Sequence, residues 1–183
     1  MQGKVNFGEL SFLQNCKYAY GLCLRLAPFY IQFSQNYSSG DIGIHSTCME
    51  MLLKNIDDEE KLACISEMYT PLLEPIVPDM EDFNSELLAS LGLDAITSTL
   101  TLLDYLKEKQ VGLIAEIKNI SLNSAEFISY SMDEFLAIRP NFSKLPMESE
   151  NNFNEALLDL AKRGMRKGTY QQSLANLVLE YSY

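Results

Sequence analysis

The sequence predicts an all-α fold, a compact bundle of about seven helices. Apolar residues recur throughout at three- and four-residue spacing. The β-branched alternation that marks strands is missing. With 183 residues, 47% of them apolar, the chain has enough material for one sizeable core. It is read as a single domain over 1–183, with a possible division into two lobes near 71–92.

The first helix is expected from about Glu9 to Ala27, with Leu13, Cys16, Tyr20, Cys23 and Leu24 on one face. Pro28 lacks an N–H and its ring crowds the preceding turn, so the helix is expected to bend or restart there and continue briefly through Phe33. Asn36 to Asp41 is a polar, glycine-containing turn. A second helix follows over about Ile42 to Asn55. Asp57 is placed as the cap of the third, with Asp58, Glu59 and Glu60 complementing its N-terminal dipole. That helix is expected to end near Thr70-Pro71, and Pro71, Pro75 and Pro78 then make a stiff connector. A short helix is assigned to Asp79–Ser90. In the next, Leu93, Ile96, Leu100, Leu103 and Leu106 form an apolar stripe beside a polar one of Asp94, Ser98, Thr101 and Tyr105. Val111 to Ala137 reads as a long helix, and Arg139 to Pro146 as a break. The C-terminal part, Glu148 to Glu180, is expected as two helices because Gly164 and Gly168 interrupt it. Tyr181 and Tyr183 end the chain as exposed aromatics or as a tail packed on the domain or on a dimer mate.

Charge and motifs exclude several function classes. A net charge of −11 argues against a nucleic-acid partner and against an anionic membrane surface. No segment offers the roughly 18–20 uninterrupted apolar residues of a membrane span. The N-terminus lacks a signal-peptide layout, so a cytoplasmic location is the expectation. Cys16, Cys23, Cys48 and Cys64 form no CxxC pair and read as small buried hydrophobes in a reducing compartment. The single histidine, His45, has no Glu at metal-motif spacing and is given a surface or helix-packing role. No glycine-rich phosphate loop occurs. Lys162, Arg163, Arg166 and Lys167 form one basic cluster, read as cations at a helix C-terminus. The sequence therefore assigns no catalytic residue, no metal ligand and no cofactor.

One residue stands out. Arg25 lies inside the apolar run Tyr18 to Phe33, where an unpaired guanidinium would be costly. The first helix is apolar around most of its circumference and is expected at the centre of the bundle, so Arg25 needs an anion. Asp94 opens an apolar helix and is chosen as its partner in a charged hydrogen-bond pair.

These residues also carry a resemblance. The run Leu22-Cys23-Leu24-Arg25, then Pro28, Tyr30 and Phe33, the Gly40-Asp41 turn, Glu50, the Pro78/Glu81/Asp82/Phe83 group and Asp94-Ala95 occur in the order seen in the YjaG-like family of bacterial proteins, domain-of-unknown-function family 416. The likeness runs from about residue 13 to 140. Phe29 stands where an Asn is usual, and Leu53 where a Trp is typical. The resemblance implies an all-helical cytoplasmic protein and no particular reaction. The expected function is a non-enzymatic protein-interaction module or homodimer, binding itself or an unidentified protein. The alternative is a small-ligand-binding protein or enzyme with a pocket around Arg25 and Asp94, lined by Ser98, Thr101 and Tyr105.

Overall fold

The structure, a computed structural model, describes residues 6–83, 86–140 and 145–181. Among them are eight α-helices and no strand. They are α1 (Phe12–Tyr37), α2 (Ile42–Lys54), α3 (Glu59–Leu73), α4 (Leu87–Glu108), α5 (Val111–Tyr130), α6 (Met132–Ile138), α7 (Pro146–Lys162) and α8 (Lys167–Tyr181). Short 3₁₀ turns at Phe7–Glu9 and Glu74–Ile76 precede α1 and follow α3. The expectations for Tyr183 and for residues 141–144 of the break fall outside the described residues.

Local chemistry sets the helix ends. Ser11 and Gln14 close a capping box on α1: the Gln14 N–H donates to Ser11 Oγ at 3.3 Å, and the Ser11 N–H donates to Gln14 Oε1 at 2.9 Å. Asp41 caps α2 by accepting from the Ile44 N–H at 3.0 Å. Asp58, not Asp57, caps α3, accepting from the Lys61 N–H at 3.1 Å. Pro146 opens α7 at its first position, where a missing N–H costs nothing. The left-handed residues Ser38, Lys109 and Gly164 stand at helix ends.

Four boundaries differ from expectation. α1 runs unbroken through Pro28 to Tyr37, and α3 likewise runs through Pro71. Both prolines lie on the solvent side of their helices, where water can serve the carbonyls they leave without a donor. Residues 79–83 form turns rather than a short helix, and α4 begins at Leu87. The predicted 111–137 helix divides at Ser131 into α5 and α6.

α1 is the central helix, packing against α2, α4, α5, α7 and α8. One apolar core draws residues from all eight helices and continues across the 71–92 segment. Two glycines let helices approach α1 closely. A Cβ at Gly92 of α4 would sit 2.8 Å from the Phe33 Cβ. A Cβ at Gly21 would overlap the Leu157 methyls of α7. α4 is apolar and long enough to cross a membrane, and 67% of its most apolar window is buried inside the bundle.

Candidate functional site

α1 presents a row of polar residues to the α7–α8 pair at helical spacing: Gln14, Lys17 with Tyr18, then Gly21 and Arg25. Their partners run from the α7–α8 turn back toward the start of α7. Gln14 Nε2 donates to the Lys162 carbonyl at 3.2 Å, and Lys17 Nζ donates to the Met165 carbonyl at 3.3 Å. The Tyr18 hydroxyl donates to Asn154 Oδ1 at 2.5 Å, and Gly21 receives Leu157. Arg25 meets Glu150.

The Arg25–Glu150 pair is the electrostatic centre of the molecule. Arg25 is 3% exposed and Glu150 0%. Arg25 Nε donates to Glu150 Oε2 at 2.5 Å, Nη2 donates to Ser149 Oγ at 3.3 Å, and Nη1 donates to the Tyr181 carbonyl at the end of α8. The guanidinium carbon lies 4.6 Å from the Phe153 ring centroid, a cation–π contact. On the other side, Glu150 Oε1 accepts from Ser121 Oγ at 2.5 Å and from Asn154 Nδ2 at 2.9 Å. Both carboxylate oxygens and all three guanidinium nitrogens are thus engaged, as a buried ion pair requires.

The expected Arg25–Asp94 pair is therefore corrected. Asp94 lies half-buried on α4 and accepts instead from Ser124 Oγ of α5 at 2.6 Å. Burial raises its carboxyl above the ordinary range, and the Ser124 hydrogen bond only partly opposes this. The physical reason for the exchange is position: Glu150 projects from the α7 face that docks on α1, in line with Phe153, Leu157 and Leu160. Asp94 lies beside the α4–α5 seam.

The stripe chosen as ligand-facing is core. Ser98, Thr101 and Tyr105 are all buried. Thr101 Oγ1 donates back to the Thr97 carbonyl at 2.9 Å, and the Ser98 carbonyl accepts from Cys23 Sγ at 3.3 Å. Tyr105 stacks on Phe12 with ring centroids 5.4 Å apart, and burial pushes its hydroxyl up to about 12.

A second buried cation was not singled out in the sequence. Lys17 is 6% exposed and pairs with Asp57 at 2.6 Å, over the Tyr170 ring at 5.4 Å. The Tyr170 hydroxyl closes the arrangement by donating to the Lys17 carbonyl at 2.6 Å. Its signal was the eight-residue spacing between Lys17 and Arg25, which places both on one face of α1. Asp57, read as a helix cap, is the counter-ion.

His45 is buried between α1 and α4, with Nε2 3.2 Å from Thr99 Oγ1 and its ring 4.9 Å from that of Tyr30. Desolvation lowers its pKa to about 4, so the ring is neutral near pH 7. Cys16, Cys23 and Cys48 are buried free thiols, as the composition suggested, and burial holds the Cys48 thiol up at about 12. Cys64 departs from that reading and is exposed. Among the described residues no group of three or more His, Cys, Asp or Glu is placed to hold a metal ion. Of the basic cluster, Lys162 lies in the last turn of α7, and Lys167 caps α2 by donating to the Lys54 carbonyl.

No curated protein matches the chain. A solved structure does: the crystal structure of a DUF416 family protein from Shewanella baltica OS155. It aligns with a TM-score of 0.77 over 97% of this chain and 95% of its own, at 21% sequence identity. That likeness shows a shared fold. Residues 4–177 match the family described as "Protein of unknown function (DUF416)". The chain belongs to the DUF416 family.

Proposed function

We propose that the protein is a non-enzymatic helical interaction module that pairs with a second copy of itself. The observation that carries this reading is the outer face of α3. Its inner face buries Leu62, Ile65, Tyr69 and Leu73. Its outer face carries Cys64, Met68 and Leu72, spaced four residues apart, with Met68 57% and Leu72 44% exposed. Two of the largest exposed apolar side chains therefore lie one turn apart on one helix, flanked by exposed Pro71 and Pro75.

A second copy is the occupant this pattern suits. Cys64 and Leu72 lie one turn either side of Met68. A two-fold axis at Met68 lets antiparallel α3 helices set Leu72 of each against Cys64 of the other. A contact between two helices of 15 residues is about 22 Å long and 10 Å wide, roughly 220 Å² per partner and well below a standard specific interface of about 800 Å² per partner. The dimer is accordingly expected to be concentration-dependent. The buried polar groups support the non-enzymatic side of the reading, since Arg25, Glu150 and Asp94 are engaged with internal partners.

Sedimentation across a concentration series tests the reading. The expected result is a shift from 20.7 kDa toward twice that mass, abolished by Met68→Lys with the fold intact by circular dichroism. A monomer at the highest concentration would overturn self-association. A dimer indifferent to Met68→Lys would overturn the assigned surface.

A further inference from the structure

A groove of about 460 Å³ lies between the C-terminal half of α2 and the start of α8. Its volume suits a small molecule. Met51 and Leu53 supply apolar lining, and Lys54, Lys167, Gln171 and Glu50 supply the polar groups. The lining comes from two segments more than a hundred residues apart, so the fold rather than local sequence assembles it.

The electrostatics of this place run against those of the molecule. The chain carries a net charge of −11. Yet two ammonium groups line the groove, and the turn leading into it exposes Lys162, Arg163 and Arg166. The α2 carbonyls that would otherwise repel an anion here are occupied: Gln171 Nε2 donates to Leu53 at 3.3 Å, and Lys167 Nζ donates to Lys54. Lys54 and Glu50 stand four residues apart on α2, the usual spacing for a surface ion pair. Neither side chain makes a hydrogen bond or salt bridge with the described residues, which leaves the Lys54 ammonium open to a ligand.

We infer that this groove binds a small amphipathic organic anion. Its carboxylate or phosphate head lies between Lys54 and Lys167, and its apolar body lies on Met51 and Leu53. Glu50, the one acid in the lining, disfavours a second negative charge near its own end. The site is separate from the α3 face and stands or falls independently of self-association.

Nuclear magnetic resonance titration of the full chain with octanoate, inorganic phosphate and octylammonium tests the inference. Octanoate is expected to shift the resonances of Met51, Leu53 and Gln171, with phosphate at least about tenfold weaker because it lacks the apolar body. Lys54→Glu is expected to weaken octanoate binding by about tenfold or more with an unchanged melting temperature, since the Lys54 ammonium holds nothing in the fold. Glu50→Gln is expected to tighten it. The pair of opposite effects distinguishes the site from general destabilisation. Octylammonium binding as well as octanoate would overturn the anion assignment. Absence of localised shifts with octanoate would overturn the site itself.

Discussion

Two carboxylates show how strongly surroundings decide what a charge does. Glu150 is fully buried, and both its oxygens are met by partners on Arg25, Ser121 and Asn154. Asp94 has one hydroxyl partner and a carboxyl raised by burial. Asp94→Asn keeps an acceptor for Ser124 and removes a poorly solvated charge. It is expected to leave stability at pH 7 unchanged or slightly higher in chemical denaturation. Because the folded Asp94 binds its proton more readily than the unfolded one, its contribution grows as pH falls. His45 has the opposite sign. Its pKa is about 4 when folded against about 6.5 for a free imidazole, so the unfolded chain takes up the proton first. The stability it supplies is complete above pH 6.5 and is lost as pH falls from 6.5 toward 4, by about 3 kcal/mol in all. Urea midpoints at pH 7 and pH 4.5 check this: His45→Asn should flatten the wild-type decline, and an equal decline in both proteins would refute it.

Among the helices, α1 and α7 show what a sequence can and cannot disclose. The periodic stripes of α1 and α4 were legible because their apolar residues are close in sequence and repeat at helical spacing. The unbroken α1 was not, because the outcome at Pro28 depends on which side of the helix faces water. Residues 79–83 were assigned to a short helix and form turns instead. Glu150 was missed because Glu148 to Asn152 reads as a hydrophilic surface run, and its partner is 125 residues away. The available clue was its phase: Ser149 and Glu150, Phe153, Leu157 and Leu160 occupy one face of α7. The close packing of α7 on α1 at Gly21 gives a test of that face. Gly21→Ala forces a methyl onto Leu157 and is expected to cost about 1–3 kcal/mol, although alanine favours helix by about 1 kcal/mol. In a Leu157→Ala background the same substitution has room, and it is expected to be neutral or stabilising. A thermal-denaturation series of the four proteins checks the reversal of sign.

For the molecule as a whole, the two buried cations of α1 are clasps. Lys17 holds the α2–α3 turn through Asp57 and the α7–α8 turn through Met165, while Arg25 holds the far ends of α7 and α8. Apolar packing alone would tolerate a slide of the C-terminal pair along α1. The ion pairs admit one register, since a buried charge without its partner is penalised by several kcal/mol.

A double-mutant cycle on the central pair tests this account most directly. Urea unfolding of wild type, Arg25→Met, Glu150→Gln and the double variant gives each cost and their coupling. Each single change is expected to cost about 3–5 kcal/mol, because each leaves a buried partner uncompensated. The double variant is expected to lose less than the sum by about 2 kcal/mol or more. Strictly additive costs, or single losses below about 1 kcal/mol, would contradict the claim that the Arg25–Glu150 pair fixes the seat of α7 and α8 on the central helix.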